Sequence, residues 1–240
     1  MRILELDEID STNLEAKRMA EAGGFGPLWI TAKRQTAGKG RRGREWVSQP
    51  GNLFCTGLLP HSGTPASAAQ LSFAAALAVH DTVAHFRKKS EIQIKWPNDV
   101  LMNGAKIAGI LLESGTTDGQ LWVAIGIGIN IGSTPKDTAY PATHLHADIP
   151  LKLHPYFSDV KKVLFERCEF WIFEHDRKGF EPLRVAWLDR AQGMGGAVTA
   201  RLPNETIEGT AIGMDKDGAL EMQTHSGEIV KIHAGDVFFS

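Results

Sequence analysis

The sequence predicts an α+β fold, a mixed β-sheet domain flanked by helices with a small β-barrel behind it. Three observations carry that prediction. Short strand-like runs alternate with helical patterns through residues 1–190. A glycine-rich break, Gln192-Gly-Met-Gly-Gly196, then changes the character of the chain. Beyond it come only short strands, punctuated by Asn204, Asp217-Gly218 and Ser226-Gly227. The expected domains are therefore 1–190 and 191–240, the second too small to be very stable without its neighbour.

Each element has its own signal. Residues 3–9 read as a strand, and Thr12-x-x-Glu15 as a capping box opening a helix that Gly23-Gly24 ends. Leu28–Lys33 and Asn52–Leu59 are strand-like. Thr64-Pro65 puts an N-cap before a first-turn proline. The helix it starts, 65–86, is apolar nearly all round through Leu71, Phe73, Ala75, Leu77 and Val79, which predicts burial. Ile92–Lys95 is a short strand, and 99–112 a hairpin turning at Asn103-Gly104. Leu121–Ile131 is a further strand. Residues 133–156, with Pro135, Pro141, Pro150 and Pro155, read as irregular surface. A long helix from Ser158 to His175 places Val160, Leu164, Cys168 and Trp171 at helical spacing, and a shorter one starts at Pro182.

Composition narrows the class. The 240 residues are 42% hydrophobic and 22% charged, ordinary for a folded chain able to bury a sizeable core. A formal net charge of −2 argues against a surface that clings to nucleic acid everywhere, so any basic site must be local. Cys55 and Cys168 lie far apart without zinc-type spacing, which fits a reduced cytosol. The N-terminal MRILELDEIDSTN is acidic and lacks the apolar segment of a signal peptide. No run approaches the roughly 18 apolar residues of a membrane span. A soluble, cytoplasmic protein is expected.

Three segments carry chemistry. KRQTAGKGRRGREW (33–46) gathers Lys33, Arg34, Lys39, Arg41, Arg42 and Arg44 around Gly38, Gly40 and Gly43. Such a loop can wrap phosphates with guanidinium forks and backbone N–H groups. Gly38-x-Gly40-x-x-Gly43 matches a dinucleotide fingerprint in letters, but no helix pattern follows, and no P-loop motif occurs. A nucleic-acid patch and a solvated charged loop remain alternatives. In KWPNDVLMNGAKIAGILLES (95–114), Lys106 follows the hairpin turn and Gly109 permits close backbone approach. Asn98 and Asp99 sit at a strand start, where they can face a ligand or magnesium; as turn punctuation with an edge-strand lysine the same residues would be inert. Val123–Asn130 alternates glycine with isoleucine, so Gly126 and Gly128 leave a slot on one face. That slot fits either a flat ligand ring or a neighbouring helix.

Taken together, the segments resemble biotin protein ligases. The glycine/arginine loop, the Lys-Trp-Pro-Asn-Asp hairpin with its later Lys-x-x-Gly, the Gly-x-Gly-x-Asn strand and the early Ser11-Thr12-Asn13 occur in family order across essentially the whole chain. The resemblance implies a class II synthetase/biotin-lipoyl ligase-like domain with an SH3-like C-terminal barrel. It implies ATP-dependent activation of biotin to biotinyl-5′-AMP, with Mg²⁺, and transfer to a lysine of a biotin carboxyl carrier protein, an acetyl-CoA carboxylase subunit. By the same resemblance Ser11, Thr12, Asn13, Gln35, Gly38, Lys39, Arg41, Lys106, Gly109, Gly126 and Gly128 bind biotin. Arg41, Arg42, Arg44, Trp46, Asn98, Lys106 and Asn130 bind ATP. Lys106, Arg41 and Asp99 are the catalytic set, with Asp99 also the candidate for magnesium. The family loop commonly has arginine where this chain has Lys39, which keeps the charge and loses the bidentate fork. Some members carry an N-terminal DNA-binding domain for which this sequence has no segment, so DNA binding is not expected; a homodimer is compatible. A lipoate ligase or transferase, or a nucleic-acid-binding module, are the alternative functions.

Overall fold

The computed structural model describes residues 1–135, 138 and 140–239. A seven-stranded sheet forms the larger part, in the order β1-β2-β3-β7-β6-β5-β4. Its strands are β1 Arg2–Ile9, β2 Leu28–Gln35, β3 Leu53–His61, β4 Ile92–Lys95, β5 Asp99–Met102, β6 Ala105–Thr117 and β7 Gln120–Ile129. β1 and β2 are parallel and the others antiparallel, so the sheet is mixed. Two tight turns close its hairpins. Asn103-Gly104 has φ of 52° and 76°, and Asp118-Gly119, which the sequence reading passed over, has 49° and 80°. Both pairs meet the positive-φ demand of a two-residue hairpin.

The helices divide between the sheet's faces. On one lie α2 (Pro65–Phe86), α3 (Phe157–Lys178) and α4 (Glu181–Leu188), over a continuous core that includes Leu71, Leu77, Ile94, Ile125 and Trp187. α2 begins as expected, with the Thr64 hydroxyl accepting from Ser67 N–H at 3.1 Å. On the other face, among the described residues, lies one helix, α1 (Thr12–Glu21), covering a small cluster of Ala16, Ala20, Leu28, Leu58 and Ala124. Because α1 is short, that face stays open beside its N-terminus. There the pocket forms.

Two readings of the sequence need correction. The cap of α1 is Ser11, whose Oγ accepts from Leu14 N–H at 3.5 Å, not Thr12. Thr12 is the first helical residue, and its hydroxyl is drawn into the sheet. The 133–156 stretch is also not all surface. Leu145 is fully buried, and residues 141–145 lie beside β6 and the end of β7 through Lys106 N–H to Pro141 O and Leu145 N–H to Asn130 O.

The C-terminal strands β8 Ala197–Arg201, β9 Thr206–Met214, β10 Leu220–Thr224, β11 Ile229–Ile232 and β12 Asp236–Phe239 make a second, antiparallel sheet, ordered β11-β10-β9-β8-β12. Its apolar residues Val198, Ala211, Met214 and Leu220 join the main core, so the two parts share one buried interior. The buried Trp96 indole donates to Gly218 O at 3.1 Å across the junction. Among the described residues no helix is long and apolar enough to cross a membrane.

Candidate active site

The pocket floor is made by removing side chains. On β7, Ile125, Ile127 and Ile129 point into the α2 core, so Gly126 and Gly128 face the other way. A Cβ on Gly126 would lie 2.1 Å from Asn13 Oδ1, and one on Gly128 2.5 Å from Trp46 Cε2. The protein itself borders the slot at both ends, with the start of α1 over Gly126, as the helix reading allowed, and the Trp46 indole over Gly128.

The N-terminus of α1 is wired to this floor. The Thr56 hydroxyl donates to Asn13 Oδ1 at 2.7 Å and lies 2.8 Å from the Thr12 hydroxyl. Thr12 N–H and its hydroxyl both donate to Gln35 Oε1, at 2.8 and 3.1 Å. Asn13 Nδ2 donates to Glu113 at 2.8 Å. Ser11, Thr12 and Asn13 are buried, and this network holds them in place beside the slot.

β6 supplies the cation. Regular pleating would send Lys106 and Gly109 to opposite faces, since they stand three positions apart. A register shift between β5 and β6, where Val100 pairs with Ala108 but Leu101 with Lys106, inserts one extra residue. The bulge turns Lys106 onto the face of Gly109. Its Nζ lies 3.4 Å from where a Gly109 Cβ would be, 2.6 Å from Asp99 Oδ1 and 5.4 Å from the centre of the Trp46 ring.

The glycine-rich loop folds back over this floor. Trp46 N–H donates to Gly38 O at 2.9 Å, and Gly40 N–H to Arg44 O at 2.7 Å. Gly38 is required by this crossing, because a Cβ there would meet Trp46 O at 2.5 Å. Residues Arg41–Gly43 form a single tight turn in which Arg42 takes φ 56°. Arg41 is half-buried and donates to Asn98 Oδ1 at 3.2 Å. Its burial, then the neighbouring Arg42, push its pKa down, so an anion brought nearby would be stabilised by it. Arg42 and Arg44 both reach Asp236 of the C-terminal sheet, at 3.2 and 2.8 Å.

One cavity of about 430 Å³ is lined by Ser11, Thr12, Asn13, Gln35, Lys39, Arg41, Arg44, Trp46, Asn98, Asp99, Lys106, Gly109, Gly126, Gly128 and Asn130. Of the residues expected at the site, Gly38 and Arg42 do not line it. Gly38 serves the loop's crossing, and the Arg42 side chain pairs with Asp236 at the cavity's edge. The six-residue basic cluster also divides. Lys33 and Arg34 pair on the surface with Asp7 and Glu8 of β1, away from the cavity. Asn130 is buried, and its side chain donates to Thr143 O at 3.0 Å rather than projecting freely. The sequence reading missed Lys95, Tyr140 and Asp236, which also line the cavity. Lys95 stands in the same Lys-Trp-Pro-Asn-Asp run as Asn98 and carried a signal; the other two come from distant segments and carried none.

The larger part matches the Biotin/lipoate A/B protein ligase family over residues 7–130, and the end of the chain matches the Biotin protein ligase C terminal domain over 194–240. The chain belongs to the biotin/lipoate A/B protein ligase family. It is 41% identical to the biotin–[acetyl-CoA-carboxylase] ligase of Paracoccus denitrificans, over 98% of this chain and 99% of that one. It is 34% identical to the bifunctional ligase/repressor BirA of Bacillus subtilis, over 96% of this chain and 72% of that one. Among solved structures, the biotin protein ligase from Aquifex aeolicus in complex with biotin and ATP superposes with a TM-score of 0.81 at 25% identity, covering 100% of this chain and 99% of that one. The fold is therefore the expected one, a mixed-sheet ligase domain with the small C-terminal β domain of biotin protein ligases.

Proposed function

We propose that this chain is a biotin protein ligase, which activates biotin with ATP to biotinyl-5′-AMP and transfers biotin to a lysine of a biotin carboxyl carrier protein of acetyl-CoA carboxylase. The single observation that carries the reading is convergence. A glycine-floored slot, Lys106 and Arg41 open into one cavity. The first step joins two anions, so charge must be neutralised before and during displacement at the α-phosphorus. Lys106 is the cation nearest the slot, suited to the biotin carboxylate and α-phosphate together. Arg41 and Arg44 are assigned to the nucleotide phosphates, and Trp46 to a wall against which adenine stacks. Ser11, Thr12 and Gln35 are assigned to the polar ring of biotin, beside Gly109, Gly126 and Gly128.

Among the described residues no cluster of three metal-ligating side chains occurs. Magnesium needs only one or two carboxylates with substrate phosphates, and Asp99 faces the cavity to provide one. Bound with ATP, the ion would add positive charge at the phosphates. In the second step a neutral carrier lysine attacks the mixed anhydride. A loop that covers the adenylate would limit its hydrolysis, and the 38–46 segment, which folds back over the cavity floor, is assigned that role. Domain limits of 1–190 and 191–240, and a cytoplasmic site of action suited to the free, buried Cys55 and Cys168, complete the proposal.

The test supplies biotin or lipoate with ATP and follows pyrophosphate release, then carrier-peptide mass. Biotin-dependent release with a biotinylated peptide is expected. Activity with lipoate and none with biotin would overturn the reading; the match to a biotin protein ligase C-terminal domain favours biotin.

A further inference from the structure

Lys95 is a cation without an assigned partner. It ends β4 directly opposite Asp99 on β5, and its ammonium enters the cavity beside the rings of Tyr140 and Phe238, 5.0 and 5.6 Å from their centres. Among the described residues it makes neither a hydrogen bond nor an ion pair. Burial pushes its pKa down, an effect that Asp99 and Asp236 oppose and the like charge of Lys106 reinforces. A half-buried ammonium held by aromatic faces, whose donors meet no acceptor among the described residues, can receive an anion.

Strand order says which anion. The slot lies on β7 and β6, Lys106 on β6, Asp99 on β5 and Lys95 on β4, and these strands are neighbours in that order. The path from slot to Lys106 therefore continues to Lys95. In the displacement, a biotin carboxylate oxygen forms a bond to the α-phosphorus while the bond from that phosphorus to the bridging oxygen breaks. The bridging oxygen keeps the electron pair and departs with pyrophosphate, on the side opposite the attacking oxygen. With the carboxylate in the slot and the α-phosphate at Lys106, the leaving side is the Lys95 side.

We propose that Lys95 is a further catalytic residue of the ligase reaction, receiving the pyrophosphate leaving group as charge develops on it. This rests on the biotin-ligase reading. It predicts that Lys95 is engaged by pyrophosphate and by ATP but not by biotin or the carrier.

The test is biotin-dependent exchange of labelled pyrophosphate into ATP by the full chain, with wild type, Lys95→Met and Lys95→Arg. In Lys95→Met the KM for pyrophosphate should rise about ten- to a hundredfold, the worth of one charge-assisted contact. Biotin affinity, and transfer from supplied biotinyl-adenylate to a carrier peptide, should stay at wild-type levels. Lys95→Arg, which keeps the charge, should hold the pyrophosphate KM within about threefold. An unchanged pyrophosphate KM in Lys95→Met overturns the assignment, as does an equal rise in Lys95→Arg, which would mark a packing role. Should Lys95→Met fail to fold, Lys95→Gln, which also removes the charge, is read in its place with the same expected and overturning results. If wild type itself shows no biotin-dependent exchange, the functional reading fails rather than the role of Lys95.

Discussion

Along β7, Val123, Ile125, Ile127 and Ile129 pack into the core under α2, while Trp122, Ala124, Gly126 and Gly128 face α1 and the cavity. The first face is uniformly large and branched. The second shrinks along the strand from tryptophan through alanine to glycine, and the cavity opens where the side chains end. One strand thus carries fold on one side and site on the other. Period-two geometry is what separates the two sets, so a change on either face should have its own signature.

The largest expected effect lies on the core face. Ile125→Ala should cost about 2–5 kcal/mol of stability, because it removes a buried branched side chain that does not line the cavity and leaves a void. Denaturant titration should show the loss, while kcat per folded molecule stays near wild type. A fall in kcat that exceeds the loss of folded protein would break the separation of the faces.

On the site face, Lys106→Ala should reverse that pattern. Adenylate formation should fall about 10²–10³-fold, the scale for removing one oriented charge from such a transition state. The thermal midpoint should change little, because Lys106 is partly exposed and contributes little to the core. Near-wild-type pyrophosphate release would remove it from the catalytic set.

Gly128→Ala sharpens the comparison with a smaller change. The added methyl would lie 2.5 Å from the Trp46 ring and must displace it. Overpacking of this kind costs about 1–3 kcal/mol, here expected as a roughly tenfold or greater rise in KM for both substrates. The stability loss should stay below that of Ile125→Ala, and tryptophan fluorescence should report the displaced indole. Unaltered KM values with a large stability loss would place Gly128 with the core.

The same two faces explain what the sequence disclosed. The Gly-Ile alternation of 123–130, the Asn103-Gly104 turn and the Thr64-Pro65 start are local, so spacing alone reveals them. The choice of Ser11 over Thr12 as cap was hidden, because it turns on Thr12 finding Gln35 and Thr56, residues from other strands. The aim of Lys106 was hidden too, since it depends on a bulge that only the pairing with β5 creates. The basic run read as one cluster because its acids are elsewhere. Asp7 and Glu8 remove Lys33 and Arg34 on the neighbouring strand, and Asp236 takes Arg42 and Arg44 across 194 and 192 positions of sequence.

That last contact gives the smallest prediction. Asp236 holds Arg42 and Arg44 through pairs whose side chains remain about one third to one half exposed. Exposed pairs are worth about 0.2–1 kcal/mol each and weaken with salt. Because both arginines share one carboxylate, Asp236→Asn should release the loop from the C-terminal sheet at little cost in stability. The ATP KM should then rise only about two- to fivefold at low ionic strength, since the loop must be ordered by the nucleotide alone, and the difference should fade toward 1 M salt. A lower KM in the variant would mean that Asp236 competes with the phosphates for these arginines. A tenfold or larger rise that persists at high salt would mean that the loop belongs with the buried floor of β6 and β7, and not with the exposed, screened half of the site.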